Sequence, residues 1–422
     1  MKFYLWQNIE IMKNKFIIIQ LFLIVYSLPI FGQYQHIVKT GIEVLRSHSF
    51  DEIKGKKVGL ITNPTGVDSQ LKSTIDILFE AKSVSLVALF GPEHGVRGEV
   101  NAGDKIENII DPKTGLPIYS LYGSTHKPTN EMLKGIDVLV YDIQDIGCRS
   151  YTYISTLGKA MEAAAENDIE IIVLDRPNPL GGNKIEGSIT EQDFFSFVSA
   201  FPIPYVYGLT VGELAILINE ESYISKKCKL KVVKMEGWKR NMNFRETGLK
   251  WIQTSPHVPY METPFYYVAS GILGELNPIN IGIGYTIPFQ LFGAEWIDAD
   301  KMANAMNNLN LKGVLFRSVY FKPYYGKNTG KLLGGVQVYI TDPDKVNLMS
   351  VQFYFLQEHH RLYPDIDILS MSEDRIKMFD KVCGTNIIRE KFFTNYRYDD
   401  IKKYLNKDVD KFRKISKKYY LY

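Results

Sequence analysis

Residues 137–142 read DVLVYD and residues 169–175 read IEIIVLD. Each is an apolar run of strand length that stops on an aspartate. Such a run has no polar face, so it must be buried on both sides, as in a parallel sheet covered by helices. Upstream, residues 57–63 (KVGLITN) and 85–90 (SLVALF) have the same character and stop at Asn63-Pro64 and Gly91-Pro92. Residues 116–121 (LPIYSL) add a short strand. Between these runs, residues 73–82, 131–134 and 152–167 have helical spacing, and Ala160, Ala163 and Ala164 allow close packing. Strand alternating with helix predicts a doubly wound, Rossmann-like α/β domain with a parallel sheet.

The pattern changes after about residue 241. Two segments rich in Pro, Gly and aromatics (255–264 and 271–288) precede a capped helix at 298–308, strands at 314–321 and 335–341, and a helix at 346–359. This predicts a smaller α+β domain. The chain of 422 residues exceeds the ~250–300 at which a single core stops growing. The expected division is a Rossmann-like domain over residues 34–265 and an α+β domain over 266–422 that closes a cleft.

Lys13 and Lys15 stand before the apolar run 16–31, which ends in Gly32-Gln33. A basic start, a short apolar stretch and a small residue before a polar one make a secretory signal peptide, expected here over residues 1–33 with either Met1 or Met12 as the start. The run is short for a membrane span, so export to the periplasm without a stable anchor is the expectation. Net charge is +3 with signs mixed, which gives no case for nucleic acid as a partner. Cys148, Cys228 and Cys383 are widely separated, and the seven His form no H-E-x-x-H pattern, so neither a disulfide framework nor a metal is expected. No dinucleotide fingerprint or P-loop follows the first strand, so no cofactor is expected.

In doubly wound folds, ligands sit outside the carboxyl ends of the strands. The strand ends here are polar: Asn63, then Glu93-His94, then Asp142 with Gln144 and Asp145, then Asp175-Arg176. Glu93 lies in GPEHG (91–95), where proline and two glycines fix a sharp turn. A held, partly enclosed carboxyl suits general acid work; capping the next helix or pairing with Arg97 would explain it equally well. The run 142–153 (DIQDIGCRSYTY) gathers the mixed donors and acceptors that hydroxyl-rich ligands use, including Arg149 and Tyr151, and an Asp–Arg structural network is the alternative. Further candidates are Asn178 in NPLGG (178–182), His257 in SPHVP (255–259), and Glu275 and Asn277 in GELN (274–277). Glycoside hydrolysis commonly needs two carboxyls, unless an N-acetyl sugar supplies its own acetamide as nucleophile. Asp142 and Glu275 are therefore candidate catalytic partners of Glu93 and His94.

The combination GLITNPTGVD, LFGPEHGVRG, DVLVYDIQDIGCRSYTY and LDRPNPLGG resembles a bacterial family of exo-β-N-acetylmuramidases first catalogued as a domain of unknown function. The likeness runs from Gly41 to near the C-terminus. It implies a glycosidase that removes terminal β-linked N-acetylmuramic acid from the non-reducing ends of peptidoglycan fragments. It also implies a cleft between a Rossmann-like and a smaller domain, with the catalytic glutamate at Glu93. Asn63, Gln144, Asp145, Arg149, Tyr151, Asn178, His257 and Asn277 would then contact the sugar. The chain departs from the family pattern at SPHVP and at 274–286, where an arginine expected near Gly284 is missing. An esterase or amidase acting on cell-wall fragments, and a non-catalytic periplasmic sugar-binding protein, are the rival readings.

Overall fold

The computed structural model describes residues 38–98, 109–123 and 125–422; the signal segment expected over residues 1–33 lies outside them. The strands are β1 (Lys57–Thr62), β2 (Ser85–Gly91), β3 (Ile109–Ile110), β4 (Pro117–Ser120), β5 (Val138–Asp142), β6 (Glu170–Leu174), β7 (Lys229–Val233), β8 (Leu291–Ala294), β9 (Val314–Phe321) and β10 (Leu333–Ile340). The first seven form one sheet in the order β3-β4-β2-β1-β5-β6-β7. All its pairings are parallel except β3 with β4.

Both faces of this sheet are covered, which is why its strands are apolar at successive positions. Alternate residues go to different cores. Val58, Leu60, Val138 and Val140 pack under the helices Gly41–Ser47 and Thr74–Glu80. Ile61, Leu139, Tyr141, Ile171 and Val173 join the opposite core with the helices Tyr153–Glu166 and Val211–Glu220. Each fully buried aliphatic side chain stabilises the fold by roughly 1.5–3 kcal/mol. The helix starts are fixed locally: the Ser73 side chain accepts from the Asp76 amide, and Thr210 forms a capping box with Glu213.

The strand order turns back between β1 and β5, and this is the crevice where doubly wound folds bind their ligands. Here the crevice is closed by protein. Thr62 and Asp142 are register partners, and Asp142 is taken up by Arg176 (Nε to Oδ1 2.5 Å, Nη2 to Oδ2 2.9 Å) and by the Thr74 hydroxyl at 2.5 Å. A void of about 20 Å³, bordered by Thr65, Gln144 and Arg176, remains beside it.

The second, smaller part has a three-stranded antiparallel sheet, β8-β10-β9. The helix Ala299–Asn308 carries the expected cap, Asp298, and the helix Leu348–Leu362 is capped by Asn347. β9 exposes much of one face, whereas β10 is buried along most of its length. One apolar cluster contains residues from Ile61 to Phe412, so the parallel and antiparallel sheets share a core.

Candidate active site

β2 runs into Gly91-Pro92 and then folds back: the Gly95 amide donates to the Pro92 carbonyl at 3.1 Å. A Cβ on Gly91 would stand 3.2 Å from Gly95 Cα, a tight contact that would push the turn outward by a few tenths of an ångström. The turn forces His94 to φ +75° and Gly95 to φ +77°. A left-handed non-glycine residue costs on the order of 1–3 kcal/mol and persists where the surroundings hold it. His94 Nδ1 is buried with no hydrogen-bond partner among the described residues. Glu93 and His94 are both half-buried.

Sheet order brings a phenol to Glu93. Gly91 of β2 pairs with Ser120 of β4, and Tyr122 follows two residues on. Burial, and then the neighbouring Glu93 carboxylate, push this phenol up to about 12. Tyr122 therefore stays a neutral donor at physiological pH. The Tyr153 phenol is also raised, by burial first and by the Tyr151 and Glu93 charges after it.

Glu93 and His94 open onto a cleft of about 240 Å³, whose other walls are Ser150, Tyr151, Thr152, Tyr153, Ser255, Pro256, His257, Val258, Tyr267 and Phe289. The aromatic wall is interlocked: Tyr151 meets Tyr153 and Tyr267 edge to face at 4.9 and 5.8 Å, and Tyr267 meets Phe289 at 4.9 Å. Its hydroxyls are tied down, Tyr151 to Thr254 Oγ1 at 2.8 Å and Tyr153 to the Thr254 carbonyl at 2.5 Å. His257 is pushed down by burial and by the nearby His94, so it favours the neutral form. Among the described residues lining the cleft, Glu93 is the one carboxylate, and no lysine or arginine is present.

The structure thus brings together four of the residues singled out in the sequence: Glu93, His94, Tyr151 and His257. It places the others elsewhere. Asp142 is fully buried on Arg176 and Thr74, so it has no lone pair facing the cleft. Arg149 is also fully buried and donates to four carbonyls, of Ser188, Ile203, Val382 and Cys383, at 2.7–3.1 Å. Asp145 accepts from the Gly147 amide at 2.7 Å and from the Tyr207 hydroxyl, and burial lifts its carboxyl to about 6. The Gln144 side chain donates to the carbonyls of Asp145 and Pro177. Asn63 accepts from the Thr65 amide and hydroxyl, and Asn178 bridges Leu180 and Leu209. Glu275 is paired with Arg375; burial raises it, and it does not line the cleft, although its charge is felt by Tyr267, which does. Asn277 bonds Lys327 and Asp374.

Sequence reasoning missed Tyr122, Tyr267 and Phe289. The last two stand beside the aromatic-rich segments 255–264 and 271–288 without falling inside them; for Tyr122 nothing local points to Glu93, since their proximity depends on strand order. A wider groove of about 380 Å³ lies at Leu180, Lys184, Arg240 and Asn243. Its cations are occupied, Arg240 by Glu213 and Lys184 by Glu186 and the Val346 carbonyl, so the Glu93 cleft is the better candidate.

Comparison with known proteins gives this geometry a context. The family models described as Exo-beta-N-acetylmuramidase NamZ, N-terminal and C-terminal, match residues 58–262 and 265–422. A Bacillus subtilis protein, peptidoglycan beta-N-acetylmuramidase NamZ, is 47% identical over 386 residues, covering 91% of each chain. Two crystal structures of DUF1343 family proteins from Bacteroides fragilis are similar. One has a TM-score of 0.89 at 58% identity, covering 92% of this chain and 99% of that one; the other has 0.72 at 31%, covering 91% and 99%. This chain belongs to the exo-β-N-acetylmuramidase NamZ family.

Proposed function

We propose that this protein is a glycosidase that removes the terminal β-linked N-acetylmuramic acid from the non-reducing ends of peptidoglycan fragments. The observation that carries the reading is the Glu93 carboxylate, held on a strained turn in an aromatic cleft sized for one sugar, in a chain of this family. Glu93 acts as general acid to the leaving oxygen, with the neutral Tyr122 phenol fixing its orientation. With a single carboxylate in the described lining, the substrate's own acetamide serves as nucleophile, a route open to N-acetyl sugars. His94 and His257, with Ser150 and Ser255, offer the polar contacts to the sugar and its lactyl carboxylate. The apolar run 16–31 supports export to the periplasm, where such fragments arise.

Release of muramic acid from a muramic acid–N-acetylglucosamine disaccharide tests the assignment. Glu93→Gln keeps the shape of the loop and removes the proton, so it should lose about 10³-fold in kcat. A wild-type rate in that variant would sink the assignment. Intact disaccharide recovered by mass spectrometry from the wild-type protein would favour a binding protein instead, and cleavage at an ester or amide a different hydrolase.

A further inference from the structure

We infer that Tyr324 and Tyr325 form a stacking platform for the N-acetylglucosamine unit on the leaving-group side of the scissile bond. The inference rests on the reading of the cleft given above. An exo-acting site of about 240 Å³ encloses one sugar, so the rest of the glycan must leave through the mouth. One wall of the cleft is His257. Its Nε2 is 3.0 Å from the Tyr325 hydroxyl, and the two rings are parallel to within 9° with centroids 6.1 Å apart. Tyr324 follows at 5.5 Å and Tyr285 at 6.2 Å, so the aromatic surface continues outward from the cleft wall.

These rings are costly to leave in water without a use. Tyr324 is 61% exposed and Tyr325 43%. Neither belongs to a loose tip: the Tyr324 amide donates to the Gly284 carbonyl at 3.0 Å, and Gly330 closes onto the Pro323 carbonyl at 2.8 Å. A Cβ on Gly284, at φ +89°, would strike the Tyr325 carbonyl at 2.2 Å. The close approach of these two loops therefore requires glycine there. The same loop that carries Gly284 presents Phe289 to the cleft, so platform and cleft are joined through one hydrogen-bonded loop.

A fixed, exposed phenol pair next to a sugar site matches the apolar face of a pyranose ring, with the hydroxyl edges left in water. The occupant is N-acetylglucosamine because, in an alternating glycan with muramic acid in the cleft, it is the neighbouring unit. Its 3-oxygen carries no lactyl group, which leaves the ring face free to lie flat.

The test compares kcat/KM on the muramic acid–N-acetylglucosamine disaccharide with kcat/KM on the methyl β-glycoside of N-acetylmuramic acid, which lacks the second ring. Tyr324→Ala and Tyr325→Ala should each lower the disaccharide-to-methyl ratio, by about tenfold at most for one aromatic contact, mainly through KM. Tyr325→Phe, which keeps the ring and loses the bond to His257, should hold the ratio near wild type. An unchanged ratio in both alanine variants overturns the platform, and so does an equal loss on both substrates, which would make the rings a prop for His257. A wild-type protein that releases no muramic acid from either substrate overturns the reading of the cleft first, and the platform with it.

Discussion

Glu93 and Asp142 are carboxylates at the ends of β2 and β5, two strands apart on one edge of the same sheet. Asp142 is fully buried, with both oxygens held by Arg176 and Thr74. Glu93 is half-buried, faces a cleft, and is met by one phenol on a turn whose next residue is strained. In the dinucleotide-binding folds of this topology the crevice at the reversal of strand order takes the ligand. Here the residues at that crevice weld the sheet edge, and the open cleft lies at the end of β2, one strand over. A polar residue at a strand end is thus a candidate for chemistry only when its lone pairs are not already satisfied.

The sharpest way to break this contrast is to exchange the readouts. Glu93→Gln should cost about 10³-fold in kcat while shifting Tm by less than about 2 °C, because one exposed-side oxygen is replaced in place. Asp142→Ala should do the reverse. It leaves the Arg176 guanidinium buried without its partner, which costs about 3–5 kcal/mol and several degrees of Tm, while the molecules that remain folded still turn over. Thermal melts and single-turnover rates on both variants decide the matter. An Asp142→Ala protein with wild-type Tm and no activity would put Asp142 back in the chemistry.

The buried turn that follows β5 has a second signature, in pH. Burial lifts Asp145 to about 6 and Asp175, at the end of β6, to about 7. Both carboxyls bind their proton more tightly folded than unfolded, where the value is near 4. Their contribution to stability is therefore complete below about pH 4 and is lost as pH rises to about 7, worth about 3 kcal/mol for Asp145. Asp111, held at about 2 by Arg97, has the opposite sign and matters only as pH falls below 4. Urea midpoints at pH 4.5, 6 and 8 should decline, and Asp145→Asn should flatten the decline. A midpoint that climbs across this window would show Asp145 to be favourably ionised in the fold.

The contrast also explains what could be read in advance. β1, β2, β5 and β6 were legible because two-sided burial forbids polar residues along them. β7 (KLKVV) was not, since Lys229 and Lys231 mark an outer strand with one side in solvent. The turn around Glu93 was legible from Pro92 and its flanking glycines. Whether Asp142, Asp145 and Arg149 touched a ligand was not legible, because their partners come from Arg176, Tyr207 and carbonyls as distant as Cys383. The contact of Tyr122 with Glu93 was hidden for the same reason: it follows from β2 and β4 being neighbours.

The smallest effect tests whether the strain at His94 is structural or functional. A left-handed residue other than glycine costs on the order of 1–3 kcal/mol, and glycine at that position relieves it. Glycine also loosens the unfolded chain, which takes back about 0.4–1 kcal/mol. His94→Gly should therefore leave stability unchanged or raise it by up to about 2 kcal/mol. Its Nδ1 has no partner among the described residues, so no hydrogen bond is sacrificed there. If the imidazole serves the substrate, kcat/KM should nevertheless fall by tenfold or more, since a contact to the reacting sugar is gone. A variant that melts several degrees lower at unchanged activity would mean that His94 braces the loop, and the contrast between a welded β5 end and an open β2 end would then rest on Glu93 alone.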